Sequence, residues 1–235
     1  MFKDRLRALL SGGSTGSAAP AGLPNHPSSG TPSVFADSRD KGPTLTRQSP
    51  GLEQFFASIQ DQSGLSIIDL AGASQANVMF ISNLGHRLYS DDFLPELDEA
   101  LRKGGPEAAA DSRLAAKFVE QSLPLSATSF DGALLWDNMQ FLPPVWLDAT
   151  ITRLLDVLRP QSILLAYFNA DEKATTVPCY RYRIADEKTL QLSPRGARVP
   201  AQFFNNRGLE KLFNRFATTK FFLTRDHLRE VLVRR

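Results

Sequence analysis

Apolar positions along the chain change period several times, and each change marks an element. In LEQFFASIQ, Leu52, Phe55, Phe56 and Ile59 fall at helical spacing and form one face that must be covered. The run Leu65 to Leu70 reads as a buried strand, Ala76 to Leu84 as a helix, Arg87 to Tyr89 as a second strand and Phe93 to Lys103 as a second helix. A strand is expected near Lys117 to Glu120, and another in FDGALLW. A helix follows in VWLDATITRLLDVL, where Leu147, Ile151, Leu154, Leu155 and Leu158 share a face, and then a buried strand in SILLAYF. Strands that alternate with helices in this way are parallel, because a parallel pair needs a long crossover connection.

The last part of the chain breaks that rhythm. TKFFLT and LREVLV are separated only by Arg225, Asp226 and His227, a gap too short for a crossover, so they pair antiparallel. CYRYRI and TLQL, around Ala185, Asp186 and Glu187, form a further hairpin, and GLEKLFNRF a helix. The expected fold class is α/β: a Rossmann-like, mostly parallel seven-stranded sheet with helices on both faces, a C-terminal antiparallel strand and a small β-hairpin insertion.

Composition divides the chain. Residues 11–50 are dominated by Gly, Ser, Pro, Thr and Ala, too poor in large apolar groups to offset the entropy of ordering, and read as a disordered linker. Residues 1–10 place Phe2, Leu6, Leu9 and Leu10 at the spacing of a short amphipathic helix, and 51–235 form the folded domain. The arm offers a protein partner a point of attachment. A formal net charge of +2, from 27 basic and 25 acidic residues, gives no field that favours nucleic acid. No apolar run is long enough to span a membrane. The single cysteine, Cys179, cannot form an internal disulfide, which fits a reducing cytoplasm. His26, His86 and His227 are scattered, so neither metal-ligand spacing nor a nucleophile triad arises.

One segment carries a specific likeness. In LPLSATSFDGALLWDNMQFLPP, a Leu-Pro turn leads through Ser129, Phe130 and Asp131 into the strand Ala133 to Trp136, which ends at Asp137 and Asn138. With LLDVLRPQSILLAYF behind it, this resembles the class I, seven-stranded S-adenosylmethionine-dependent methyltransferase family over roughly Leu52 to Arg235. The resemblance implies methyl transfer from S-adenosylmethionine to an acceptor the sequence does not identify. In SIIDLAGASQAN, Asp69 matches the acidic residue that precedes the family's glycine loop, while the three glycine positions fall on Ala71, Ala73 and Gln75, with Gly72 between them. The added side chains take up space that a bound ligand would need. The resemblance further implies ribose contacts from Asp91 or Asp92, an adenine contact from Glu120, pocket lining by Trp136 and a general base at Asp137. Cofactor contacts are thus expected at Asp69, Ala71, Gly72, Ala73, Asp91, Asp92, Glu120 and Trp136. The altered loop leaves an alternative open, a catalytically silent methyltransferase-like module that binds a protein partner.

Overall fold

The computed structural model describes residues 43–123, 127–171, 173–222, 224 and 227–235. The helix expected over residues 1–10 and the linker up to residue 42 lie outside them. The last linker residues are ordered: Leu45–Gln48 form strand β1, and Ser49 caps helix α1 (Pro50–Ala57) by accepting from the Leu52 amide. β2 (Ser66–Asp69), α2 (Gln75–Asn83), β3 (Arg87–Ser90) and α3 (Phe93–Gly104) follow as the periodicity predicts.

The strand expected near Lys117–Glu120 is instead the second half of helix α4 (Ser112–Ser122). Asp111 caps this helix through the amides of Arg113 and Leu114, and Ala115, Phe118, Val119 and Ser122 line its buried face. That spacing is helical, and Phe118-Val119 alone mimics a strand. The sheet consequently has six strands among the described residues rather than the seven expected, in the order β3-β2-β4-β5-β9-β8.

The remaining elements are β4 (Phe130–Trp136), α5 (Pro144–Val157), β5 (Leu158–Asn169), β6 (Val177–Asp186), β7 (Thr189–Arg198), α6 (Asn206–Leu212), β8 (Thr218–Phe222) and β9 (Leu228–Arg234). β3, β2, β4 and β5 run parallel, and β9 enters antiparallel between β5 and β8. Leu158, expected on the α5 face, already belongs to β5. This is a Rossmann-like α/β sheet. Apolar side chains of one face pack with α3, α4, α5 and α6 through Phe93, Phe118, Trp146 and Leu209. The other face packs with α1 and α2 through Leu52, Phe55, Phe56 and Ile81. The chain therefore leaves β2 along one face and returns to β4 along the other, which puts the topological switch between their carboxyl ends.

Strands β1, β7 and β6 make a separate antiparallel sheet. Its hairpin begins with Val177 and Cys179 in the core of one face and continues with Tyr182, Ile184, Leu190 and Leu192 in the core of the other. It thus contributes side chains to both cores. No helix of the described residues is long and apolar enough to cross a membrane.

Candidate functional site

The carboxyl ends of β2, β3 and β4 converge beneath that hairpin. Asp69, the last residue of β2, is fully buried. Its Oδ1 accepts from the Trp136 indole at 2.6 Å and from the Ala71 amide at 3.0 Å, and its Oδ2 accepts from Asn77 Nδ2 at 2.9 Å. Burial raises its pKa, and the three donors only partly oppose the shift. Asp69 is thus satisfied by the chain itself.

The turn after β2 keeps one glycine where glycine is needed. Gly72 has φ +88°, its amide donates to the Asp91 carbonyl at 2.8 Å, and a Cβ there would stand 3.2 Å from the Asp92 side chain. Ala71 forms a β-bridge with Asp92 beside it, and Ala73 faces solvent. Ser74 takes the N-cap position of α2 without making a side-chain cap. The first-turn amides of α2 keep the partial positive charge of a helix start.

Two acids end β3, and they have different fates. Asp92 is held bidentate by Arg195 of β7, at 2.9 and 3.2 Å, and makes no helix cap. Asp91 Oδ2 is buried with no hydrogen-bond partner. Burial, and then the nearby Glu96 carboxyl, push its pKa up to about 7. At the end of β4, Asp137 is buried as well, and burial raises it to about 7. The Tyr182 hydroxyl lies close enough to Asp137 to oppose that rise. Neither Tyr182 Oη nor Asp137 Oδ2 completes a hydrogen bond.

Trp136 is fully buried with φ +52°, a left-handed kink that turns its indole across the switch point to Asp69. Tyr182 stacks on it at 4.7 Å with 15° between the rings, and Tyr167 lies 5.5 Å from Tyr182. Asn77 fastens the hairpin to α2 by donating to the Tyr182 carbonyl and accepting from the Ile184 amide. Arg198 forms a second ion pair with Asp98 of α3. Asn138 Nδ2 bridges to the Leu70 carbonyl at 2.7 Å.

Asp69, Ala71, Gly72, Asp91, Asp92, Trp136 and Asp137 are thereby gathered at the carboxyl ends of β2, β3 and β4. Glu120 is not gathered at a strand end: it sits on the exposed side of α4, a helix where the sequence led to a strand. Asn77, Tyr182 and Arg195 were missed. Asn77 had a visible signal, since it falls one helical turn before the apolar Ile81 and so shares its inward face. Cys179 is buried and its thiol is pushed up to about 12, chiefly by burial, so it stays protonated.

These carboxyls predict a pH response. Asp137 binds its proton more tightly in the folded chain than in the unfolded one, where its pKa is near 3.8. Its contribution to stability is present below about pH 4 and lost as pH rises through about 7. In urea unfolding across that range, Asp137→Asn should lose less stability than the wild type. Parallel curves would contradict the buried, protonated state.

No family model and no curated protein matches the sequence. The chain overlays on solved structures at low identity. A 1,6-didemethyltoxoflavin-N1-methyltransferase from Burkholderia thailandensis shares 14% identity over 79% of this chain and 76% of its own, with a TM-score of 0.45. For a SAM-dependent methyltransferase from Aquifex aeolicus the figures are 10%, 80%, 90% and 0.46. For one from Methanosarcina mazei they are 16%, 74%, 93% and 0.42.

Proposed function

We propose that the carboxyl ends of β2, β3 and β4 bind S-adenosylmethionine and that the chain transfers its methyl group to an acceptor. The observation that carries this reading is a pair of carboxyls, Asp91 and Asp137. Each ends a parallel strand and has a buried oxygen without a partner, and burial pushes each pKa up to about 7. A buried polar atom left unpaired costs about 1–3 kcal/mol, so such atoms mark places where a ligand can supply the missing bond. Open α/β sheets bind ligands at this switch point.

In this reading Asp91 accepts from the ribose hydroxyls, Asp92 stands beside it, and the uncapped start of α2 and the turn Ala71-Gly72-Ala73 face the rest of the cofactor. Asp69 acts indirectly by fixing Trp136, Asn77 and the turn. When bound, the cofactor supplies an electrophilic methyl group. Asp137 would then take the proton from an acceptor that carries one, and a pKa near 7 suits that task. The aromatic stack over Asp69 excludes water from the same place. A cytoplasmic location and attachment of a partner through the N-terminal arm before β1 belong to this reading as well.

Titration calorimetry with S-adenosylmethionine tests it. The wild type should release measurable heat and melt at a higher temperature with ligand, and Asp91→Ala should weaken binding by roughly tenfold to a hundredfold. Undiminished affinity in that variant would remove Asp91 from the site.

A second reading rests on Trp136 and Tyr182. Their stacked rings, with Arg195 on Asp92, cover the strand ends with the chain's own side chains. That arrangement favours a catalytically silent module. Absence of both heat and a melting shift in the wild type would select it.

A further inference from the structure

β3 is an edge strand of the main sheet. A free strand edge invites pairing with another chain, and proteins blunt it with charges or proline. β8, at the opposite edge of the main sheet, carries exposed Lys220, and β6 carries Pro178, Arg181 and Arg183. β3 carries one exposed charge at its start, Arg87, and from Leu88 to Ser90 neither charge nor proline. The amides of Arg87 and Asp91 donate inward to Leu65 and Asp69. Strand alternation then turns the backbone groups of Leu88 and Ser90 outward, where the described residues give them no partner.

The helix beside this edge is equally bare. From Leu70 to Gly85 the chain has no ionisable residue, although 22% of it is charged. On α2, Gln75, Ala76, Val78, Met79, Ser82 and Asn83 are exposed, with Met79 at 55% and Val78 at 40%. A charge-free face suits a two-fold contact, in which each residue meets its own copy or a near neighbour and like charges would repel.

We propose that a second copy of this chain docks here, β3 against β3, to form a two-fold dimer with one continuous sheet. The outward groups set the register. Leu88 of one subunit and Ser90 of the other exchange both backbone hydrogen bonds, so Tyr89 faces Tyr89 of the partner subunit across the axis. The same register places Arg87 opposite Asp91 of the partner subunit, twice, giving charge complementarity at both ends of the pairing. It also brings the two α2 helices side by side on one face of the sheet, covering Val78 and Met79. Because Asp91 belongs to the proposed cofactor site, Arg87 of the partner subunit would stand at its rim.

Sedimentation of the 235-residue chain tests this. The wild type at micromolar concentration should run at twice the 25.9 kDa chain mass. Arg87→Glu, a change at an exposed side chain, should shift it to the monomer, and so should Met79→Glu. The double variant Arg87→Glu with Asp91→Arg should restore the dimer, which a merely structural lesion would not do. A monomeric wild type at hundreds of micromolar, a dimer indifferent to Arg87→Glu, or a charge swap that fails to rescue would each overturn the proposal. The readout is independent of cofactor binding, so a dimer that ignores S-adenosylmethionine leaves this inference standing.

Discussion

Replacing Glu230 by alanine is expected to destabilise the folded chain by about 3–5 kcal/mol, because the variant strands a buried guanidinium. Glu230 on β9 is fully buried and paired with Arg47 of β1, which is itself 7% exposed. The same carboxylate accepts from Ser49 Oγ at 2.9 Å and from the Gly51 amide at 2.6 Å, and Arg47 Nη2 reaches the Leu228 carbonyl at 3.1 Å. These bonds tie β1 and the start of α1 to the strands that carry Tyr167, so they hold the floor of the aromatic stack. In thermal unfolding the loss should appear as a drop on the order of 10 °C. Replacing both partners, as Arg47→Met with Glu230→Leu, should recover most of it, since two apolar groups leave no charge unpaired. A single variant as stable as the wild type would mean that the pair is not closed in solution.

Trp136→Ala should cost a similar amount, about 3–5 kcal/mol, for a different reason. The change empties the space between Asp69 and Tyr182 and removes one donor from a fully buried carboxyl. Trp136→Phe keeps a ring against Tyr182 and should lose only the share due to the indole N–H. Urea unfolding separates the two: alanine well below phenylalanine, and phenylalanine below the wild type. Equal losses would indicate that the stack contributes nothing beyond the hydrogen bond.

Much of the sheet was legible because its strands are local apolar runs. Ile67-Ile68, the stretch Ala133 to Trp136, and Ile163 to Phe168 are buried on both faces, and the helices between them repeat at helical spacing. The short gap before Leu228 fixed the antiparallel end. Lys117 to Glu120 misled because two adjacent apolar residues, Phe118 and Val119, satisfy either period, and the deciding cap, Asp111, lies well before them in the sequence. The last linker residues misled for a related reason. Leu45 to Gln48 has no hydrophobic pattern of its own and becomes a strand by pairing with β7.

The site was legible as a set of strand ends and illegible as a set of contacts. Asp69, Asp91 and Asp137 each close a strand, which sequence shows. Their partners are remote: Trp136 is 67 residues from Asp69, and Arg195 is 103 from Asp92. The hairpin itself was expected, yet nothing in CYRYRI says that Tyr182 folds back over β4. Distance along the chain carries no information about which acid is neutralised by an arginine and which keeps a bare oxygen.

The claim at the centre of this account is that Asp91 and Asp137 border a cofactor site. A crystal structure grown with S-adenosylhomocysteine tests it most directly. The account predicts density over the ends of β2, β3 and β4, with the ribose hydroxyls within hydrogen-bond distance of Asp91 and with Asp137 facing the sulfur end. Crystals soaked to saturation in which Tyr182 still stacks on Trp136, and in which no ligand lies beside Asp91, would contradict it.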